Sequence, residues 1–317
     1  MINQLPIIAV ALKARDIATA ACVNDGKKYQ KKQRIRSFVG AFLSPNLTQK
    51  WFDQLFAEPY LVVTKYRPQL YFKLFRVYMS IKWSQKRRMK VILDTYRYII
   101  GHGEDFMKVF TEKDGIEIAN LVLGENTEAS LMLGYDHKYR KEGELVFSFR
   151  CEELGGMVAA AAFSLEEMEK GKWVARIGCV QGHMLNENST SKVAQKLLHG
   201  LRPKVLIVTA VQEFARHLNF EAVYGAGDKI HSYRKKHAIH LHWIHTIAFD
   251  YDAFWEECGG KMAKEGWFEL PLIPYRKDIS EVKSNKRSQY NKRYALQDEF
   301  SLKIKESAQK LVANSAH

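Results

Sequence analysis

The stretch "RIGCVQGHMLNENSTSKVAQKLLHGLRPKVLIV", Arg176 to Val208, gathers the residue types that group-transfer chemistry uses. A β-like run from Trp173 to Val180 meets a glycine turn at Gly182, and a helix able to start at Ser189 or Thr190 follows a polar loop. A strand, a glycine and a helix N-terminus in that order can turn backbone N–H groups toward an anion. The same order also describes a structural join with a Ser/Thr cap. His183, just past the turn, is placed to act as a general base, and Cys179 on the strand reads as a nucleophile or as a small buried apolar residue. Arg202 and Lys204 flank Pro203, where they could pair with a phosphate or with the helix C-terminus before them.

Two other clusters have chemical and structural readings. In "HAIHLHWIH", strand spacing puts His240 and His242 on one face and His237 and His245 on the other, so a converging metal site is not expected. Asp250 and Asp252 in "DYDAFWEECGG" could seat a substrate amine or cap a helix.

The elements that must position these residues can be read from hydrophobic period. "PNLTQKWFDQLFAEPY", with a cap at Asn46 or Thr48, and "RRMKVILDTYRYIIGHG" carry helical stripes, so residues 1–110 form a helical, basic region. "IEIANLVLG", "ASLMLGYD", "ELVFSFRC", "MVAAAAFS" and "KWVARIGCV" then alternate with turn residues, which predicts an antiparallel meander. "KVLIVTAVQEFARHLNF" predicts a buried helix of about four turns, followed by the strand "EAVYGAG", a helix in "DYDAFWEECGG" and the strand "GWFELPL". The expected fold is α+β: a helical N-terminal region, an α+β core over 111–275 with a mixed, largely antiparallel sheet and flanking helices, and a basic helical tail over 276–317.

Lys and Arg number 49 against 35 Asp and Glu, a formal net charge of +14, which points to anionic partners. The excess is concentrated in "KKYQKKQRIR" (Lys27 to Arg36) and "KWSQKRRMK" (Lys82 to Lys90), which read as solvated faces or as contacts for an acidic surface. Four scattered cysteines without a CxxC pair suit a reducing compartment, and no apolar run is long enough to cross a bilayer. The opening apolar patch, Ile7 to Leu12, reads as a short amphipathic helix and not as a signal peptide. The expected location is cytoplasmic, with peripheral contact to an acidic inner-membrane surface.

"RIGCVQG", "LLHGLRPKVLI", "FARHLNF", "IHSYR", "DYDAFWEECGG" with "WFELPL", and "KRSQYNKRYALQDEF", in this order, resemble the signature segments of the VirK/YbjX-like family of Gram-negative bacterial proteins. That resemblance implies a link to virulence and to tolerance of cationic antimicrobial peptides, and brings no agreed catalytic residue. The element order is also similar to GNAT-like acyltransferases, in which a splayed strand and the next helix hold acyl-CoA. On that likeness Gln181, Gly182, Ser189, Thr190, Arg202 and Lys204 would hold the cofactor, with His183, His231 and Tyr233 as catalytic candidates. The loop departs from the Q/R-x-x-G-x-G/A pattern, having only Gly182. His231 reads equally as an exposed turn residue. Two functions follow. One is an acyl-group transferase taking an anionic donor or an envelope precursor. The other is a non-enzymatic accessory protein whose basic faces hold anionic lipid, lipopolysaccharide precursors or RNA, nucleic acid being the least expected partner.

Overall fold

The computed structural model describes residues 6–182, 187–234 and 249–313. Helices come first: α1 (Ile7–Ala21), α2 (Lys27–Leu43), α3 (Pro45–Phe56), α4 (Tyr60–Tyr66), a 3-10 stretch Pro68–Phe75, α5 (Gln85–Gly101) and α6 (Glu104–Thr111). The α3 start differs from the expected cap. Ser44 precedes the helix, Pro45 takes its first position, and Thr48 is buried inside it. At α5 the Ser84 hydroxyl accepts from the Arg87 N–H at 3.2 Å, and Ile92, Leu93, Tyr96 and Ile99 form the buried stripe.

The meander follows as β1 (Ile116–Leu123), β2 (Thr127–Gly134), β3 (Leu145–Cys151), β4 (Gly156–Glu169) and β5 (Lys172–Gly182). After it come α7 (Glu187–Leu197), α8 (Pro203–His217), β6 (Ala222–Ala226), α9 (Tyr251–Glu257), β7 (Lys261–Met262), β8 (Trp267–Leu270) and α10 (Ser284–Ala313). The strands form one sheet in the order β1-β2-β3-β4-β5-β6-β8-β7. Every pairing among the described residues is antiparallel except β5 with β6, so the α+β expectation with a mixed, largely antiparallel sheet holds.

Both faces of β4 are covered, which is why its alternation is lost beneath a run of alanines. Phe163 points to α8, where Phe147 and Phe214 stack edge to face at 5.4 Å. The next residues point the other way: Ser164 Oγ lies 2.5 Å from the Tyr78 hydroxyl, and Glu166 is fully buried between Arg87 and Arg176. α5 is fastened to that face by Thr95, whose hydroxyl exchanges hydrogen bonds with the Leu165 backbone at 2.9 Å. The basic run Lys82–Lys90 is therefore largely part of the fold. Arg87 holds Glu166, Lys90 holds Asp94, and Arg88 donates to the Trp83 and Arg76 carbonyls. α10 lies along α8 and the outer strand β1 with Phe300, Ile304 and Ala308 buried, and the Ser307 hydroxyl donates to the Ile118 carbonyl at 2.7 Å. Covering β1 in this way removes an open sheet edge.

Candidate functional site

The parallel pairing of β5 and β6 runs from Val174–Ala222 to Ile177–Gly225, and beyond it, among the described residues, β5 continues to Gly182 with β4 as its strand neighbour. The two strands part there. Gly182 is the last strand residue, paired with Ala159, and does not form the expected turn. Aromatic side chains occupy the opening. Tyr251 Oη lies 3.3 Å from both the Val180 N–H, from which it accepts, and the Val180 carbonyl, to which it can donate. Trp255 packs on Gly225, where a Cβ would come within 2.4 Å of its ring, and donates to the Ala226 carbonyl at 3.0 Å.

A row of rings crosses this opening. Lys204 Nζ sits 4.0 Å from the centroid of Phe249, which meets Tyr251 at 4.9 Å. Tyr251 stacks on His231 at 4.6 Å, and His231 lies 6.0 Å from Tyr233, whose ring carries the Lys141 ammonium at 4.6 Å. Three residues singled out in the sequence, Lys204, His231 and Tyr233, thus lie along one row. His231 is not an exposed turn residue: it is 3% exposed, and burial pushes its pKa down to about 4. The Tyr233 N–H donates to its Nδ1 at 3.4 Å, so the ring is a neutral imidazole. Tyr233 itself is 38% exposed, and burial of its hydroxyl with the nearby Glu142 charge lifts its pKa to about 12.

Cys179 is buried, and its thiol is held well above the usual range by burial first and the Glu142 charge second. A thiol kept protonated is a poor nucleophile, so the apolar reading of Cys179 stands. Arg202 is engaged by Glu257, and Lys204 approaches Gly182, whose added Cβ would lie 3.2 Å from its Cε. Gln181 pairs with Ala160 in the sheet. α7 begins at Glu187, ahead of Ser189 and Thr190. His183 and the histidines 237, 240, 242 and 245 lie outside the described residues. Asp250 caps α9 by accepting from the Ala253 N–H at 2.9 Å, and Asp252 accepts from the Asp228 N–H at 2.7 Å.

Behind the opening lies the segment Tyr135–Glu144 that joins β2 to β3, and it carries residues the sequence reading passed over. Asp136 caps its 3-10 turn through the Lys138 N–H at 2.8 Å, and the Glu142 N–H closes it on the Tyr139 carbonyl at 2.8 Å. Glycine on β5 lets this segment press against the strand: a Cβ on Gly178 would stand 2.0 Å from the Glu142 carbonyl oxygen. Glu142 is 1% exposed, accepts from the Ser232 hydroxyl at 2.9 Å, and leaves its other oxygen without a hydrogen bond. Burial raises its pKa to about 7, with the Ser232 bond opposing.

On its other side the segment closes a cavity of about 230 Å³ against the 3-10 stretch and α5. Four cationic side chains line it, Arg67, Lys73, Arg76 and Arg140, together with His137 and one carboxylate, Glu144. Lys73 and Glu144 form a buried ion pair, and the Tyr96 hydroxyl donates to Glu144 at 2.8 Å. Arg76 donates to Gln33 on α2 at 3.1 Å and also bonds Tyr29, while Arg67 stacks on Tyr135 at 3.6 Å. The Nε atoms of Arg67 and Arg140 and Gln69 Oε1 are buried without a hydrogen-bond partner. Burial, with the Arg140 and Arg76 charges, holds the His137 pKa down to about 4, so His137 is neutral here and able to accept a hydrogen bond. Burial also lowers the pKa values of Lys73 and Arg76. Four cations facing one carboxylate across a partly enclosed space favour an anionic ligand.

The chain matches the family model described as "Protein of unknown function (DUF535)" over residues 26–306. It belongs to the DUF535 family. It is 30% identical over 294 residues to the uncharacterized protein YbjX of Escherichia coli (strain K12), an alignment covering 86% of this chain and 81% of the relative. The VirK/YbjX-like resemblance is thereby shown. Two uncharacterized Haemophilus influenzae proteins are 34% identical over 121 residues and 37% identical over 132 residues, covering 38% and 41% of this chain and 39% and 42% of the relatives. Among solved structures, a point mutant of a cAMP-binding acyltransferase from Mycobacterium smegmatis aligns with a TM-score of 0.30 and 7% identity, over 73% of this chain and 62% of the other.

The loop after Gly182, which would complete the seat expected for acyl-CoA in this DUF535 chain, lies outside the described residues. The Val180 N–H on the parted strand is engaged by Tyr251, and Arg202 by Glu257. Among the described residues the cationic cavity has the charge to take a phosphate group, and its volume lies below the roughly 300 to 1,000 Å³ of pockets that enclose a drug-sized ligand. It suits a headgroup with the rest of its molecule outside.

Proposed function

We propose that this DUF535 protein is a group transferase whose substrate carries a phosphate or carboxylate headgroup, held in the cavity between the Tyr135–Glu144 segment and the 3-10 stretch. The observation that carries the reading is the convergence of Arg67, Lys73, Arg76 and Arg140 on one small cavity with a single carboxylate. Bringing those cations together is costly in a protein that has no use for an anion. Acyl transfer is the reaction class the GNAT-like element order suggests, and the family resemblance suggests an envelope precursor as the acceptor and peptide tolerance as the phenotype.

Tyr233 is the proton donor in this reading. Its hydroxyl stays protonated at neutral pH, it is the most exposed ring of the row, and Lys141 sits on its ring. As an acceptor hydroxyl or amine attacks the acyl carbon, the bond to the leaving group breaks, and the leaving group takes the Tyr233 proton; the proton lost by the acceptor passes to a base, the role expected of His183. His231 stacks beneath Tyr233 and positions it.

Isothermal titration with inorganic pyrophosphate tests the headgroup site. Saturable binding is expected, falling at least about tenfold in Arg140→Gln, because a charge-assisted contact is lost. Tyr233→Phe should bind pyrophosphate like the parent while abolishing peptide tolerance in cells. No saturable binding, or equal binding by Arg140→Gln, would overturn the headgroup site. Full tolerance with Tyr233→Phe would overturn its role as acid.

A further inference from the structure

We propose that the outer face of the α1–α2 hairpin docks on an anionic phospholipid bilayer. α2 contains six basic residues and no acidic one, and it is divided along its length. Lys27, Lys28, Lys31, Lys32 and Arg34 are exposed in its first half, and Ile35, Val39, Phe42 and Leu43 are exposed in its second. At 100° per residue these positions share one broad face, while Gln33, Ser37 and Ala41 point to the core. α1 adds Ile7, Ile8 and Leu12, which are 51%, 61% and 36% exposed. A groove of about 730 Å³ between the helices joins the two characters, with Arg15, Lys27, Lys31 and Arg34 on its walls and Ile35 and Phe38 at its apolar end. The exposed Asp16, bonded to Arg15 at 2.8 Å, is the one carboxylate on α1.

Charge complementarity selects the occupant. A second copy would bring the same cationic face against itself, and like charges repel at that range. A nucleic acid would satisfy the cations and leave the exposed Ile, Val, Phe and Leu side chains in water. An acidic bilayer satisfies both, with lipid phosphates at the basic half and the acyl boundary at the apolar half. None of the docking residues lines the headgroup cavity, although α2 backs it and Lys32 feels the Arg76 and Arg140 charges, and the proposal stands without that reading.

The test is co-sedimentation of the full chain with vesicles of phosphatidylcholine alone, or with about 30 mol% phosphatidylglycerol, at about 50 and about 500 mM salt. Binding to the acidic vesicles should exceed binding to neutral ones at least about fivefold at low salt and fall steeply at high salt. Lys28→Glu with Lys31→Glu should remove it. Ile35→Ser with Phe42→Ser should weaken it about threefold or more at low salt, with an unchanged melting temperature because both side chains are exposed. Equal binding to both vesicles, no binding, or acidic binding unaffected by Ile35→Ser with Phe42→Ser overturns the proposal. A duplex RNA probe is run in parallel: capture of RNA in place of vesicles overturns it in favour of a nucleic-acid surface.

Discussion

Glu142 is a buried carboxyl group held by one hydrogen bond from Ser232. Its pKa stands near 7, against an ordinary value near 4.5, because burial opposes its charge more than the Ser232 hydroxyl and the neighbouring lysines favour it. The sign of the linked stability follows. Between pH 4.5 and 7 the folded chain keeps a proton that the unfolded chain releases, so stability from this group falls as pH rises through that window. His231 and His137 act oppositely between about pH 4 and 6.5, where the unfolded chain binds the extra protons. Of these three groups Glu142 alone still carries a cost above pH 7, on the order of 3 kcal/mol. Glu142→Gln keeps an acceptor for Ser232 and removes the charge, so at pH 8 it should unfold at a higher urea concentration than the parent, while at pH 4.5 the two should coincide. A variant less stable than the parent at pH 8 would show that the carboxylate is paired and not strained. None of this was legible beforehand, because "RKEGELVF" looks like an ordinary charged turn. The available signal was Lys73 and Arg76 inside "YFKLFRVYM", charges embedded in an apolar run, which are rarely buried without partners.

At the scale of elements, period-2 and period-3.6 patterns made β1, β2 and α5 readable, and β3, β4, β5 and α8, buried on nearly all sides, were readable as apolar runs bounded by turn residues. The irregular pieces were not readable. The 3-10 stretch and the Tyr135–Glu144 segment take their shape from partners far away in the chain, and it is they that enclose the cavity. The parting of β5 from β6 likewise depends on α9 supplying Tyr251 and Trp255. Gly178 is the hinge of this arrangement: it admits the Glu142 carbonyl where any Cβ would overlap it. Gly178→Ala should cost about 3 kcal/mol or more, because the obstacle is backbone on one side and a central strand on the other. Gly101→Ala serves as the contrast, since nothing lies within 4 Å of that Cβ and its helix should gain up to about 1 kcal/mol. Urea midpoints of the two variants check the pair, and a Gly178→Ala midpoint equal to the parent's would show that the segment is not pressed against β5.

Across the whole molecule, composition suggested three parts: a helical region over 1–110, a core over 111–275 and a tail over 276–317. The packing bears on how those parts should behave. One continuous set of buried apolar side chains reaches from Val10 in α1 to Leu311 in α10. Tyr98 of α5 meets Trp173 of β5 and Phe220 edge to face at 4.7 and 5.3 Å, Trp83 stacks on Trp267 of β8 at 5.4 Å, and Ile81 donates its N–H to the Ile230 carbonyl at 2.8 Å. The first helices also hold the cavity, since Gln33 and Tyr29 of α2 grip Arg76. Removing residues 1–110 would strip one face of β4, leaving Ser164 without Tyr78 and the buried Glu166 with Arg176 but without Arg87. Such coupling predicts that the helical region cannot unfold ahead of the sheet. Far-UV circular dichroism, dominated by helix, and near-UV circular dichroism, which follows the packed aromatic rings, should therefore give coincident urea transitions. A first transition that melts helix while the near-UV signal stays native would mean that residues 1–110 form an independent unit, and the cationic cavity would then open before the sheet does.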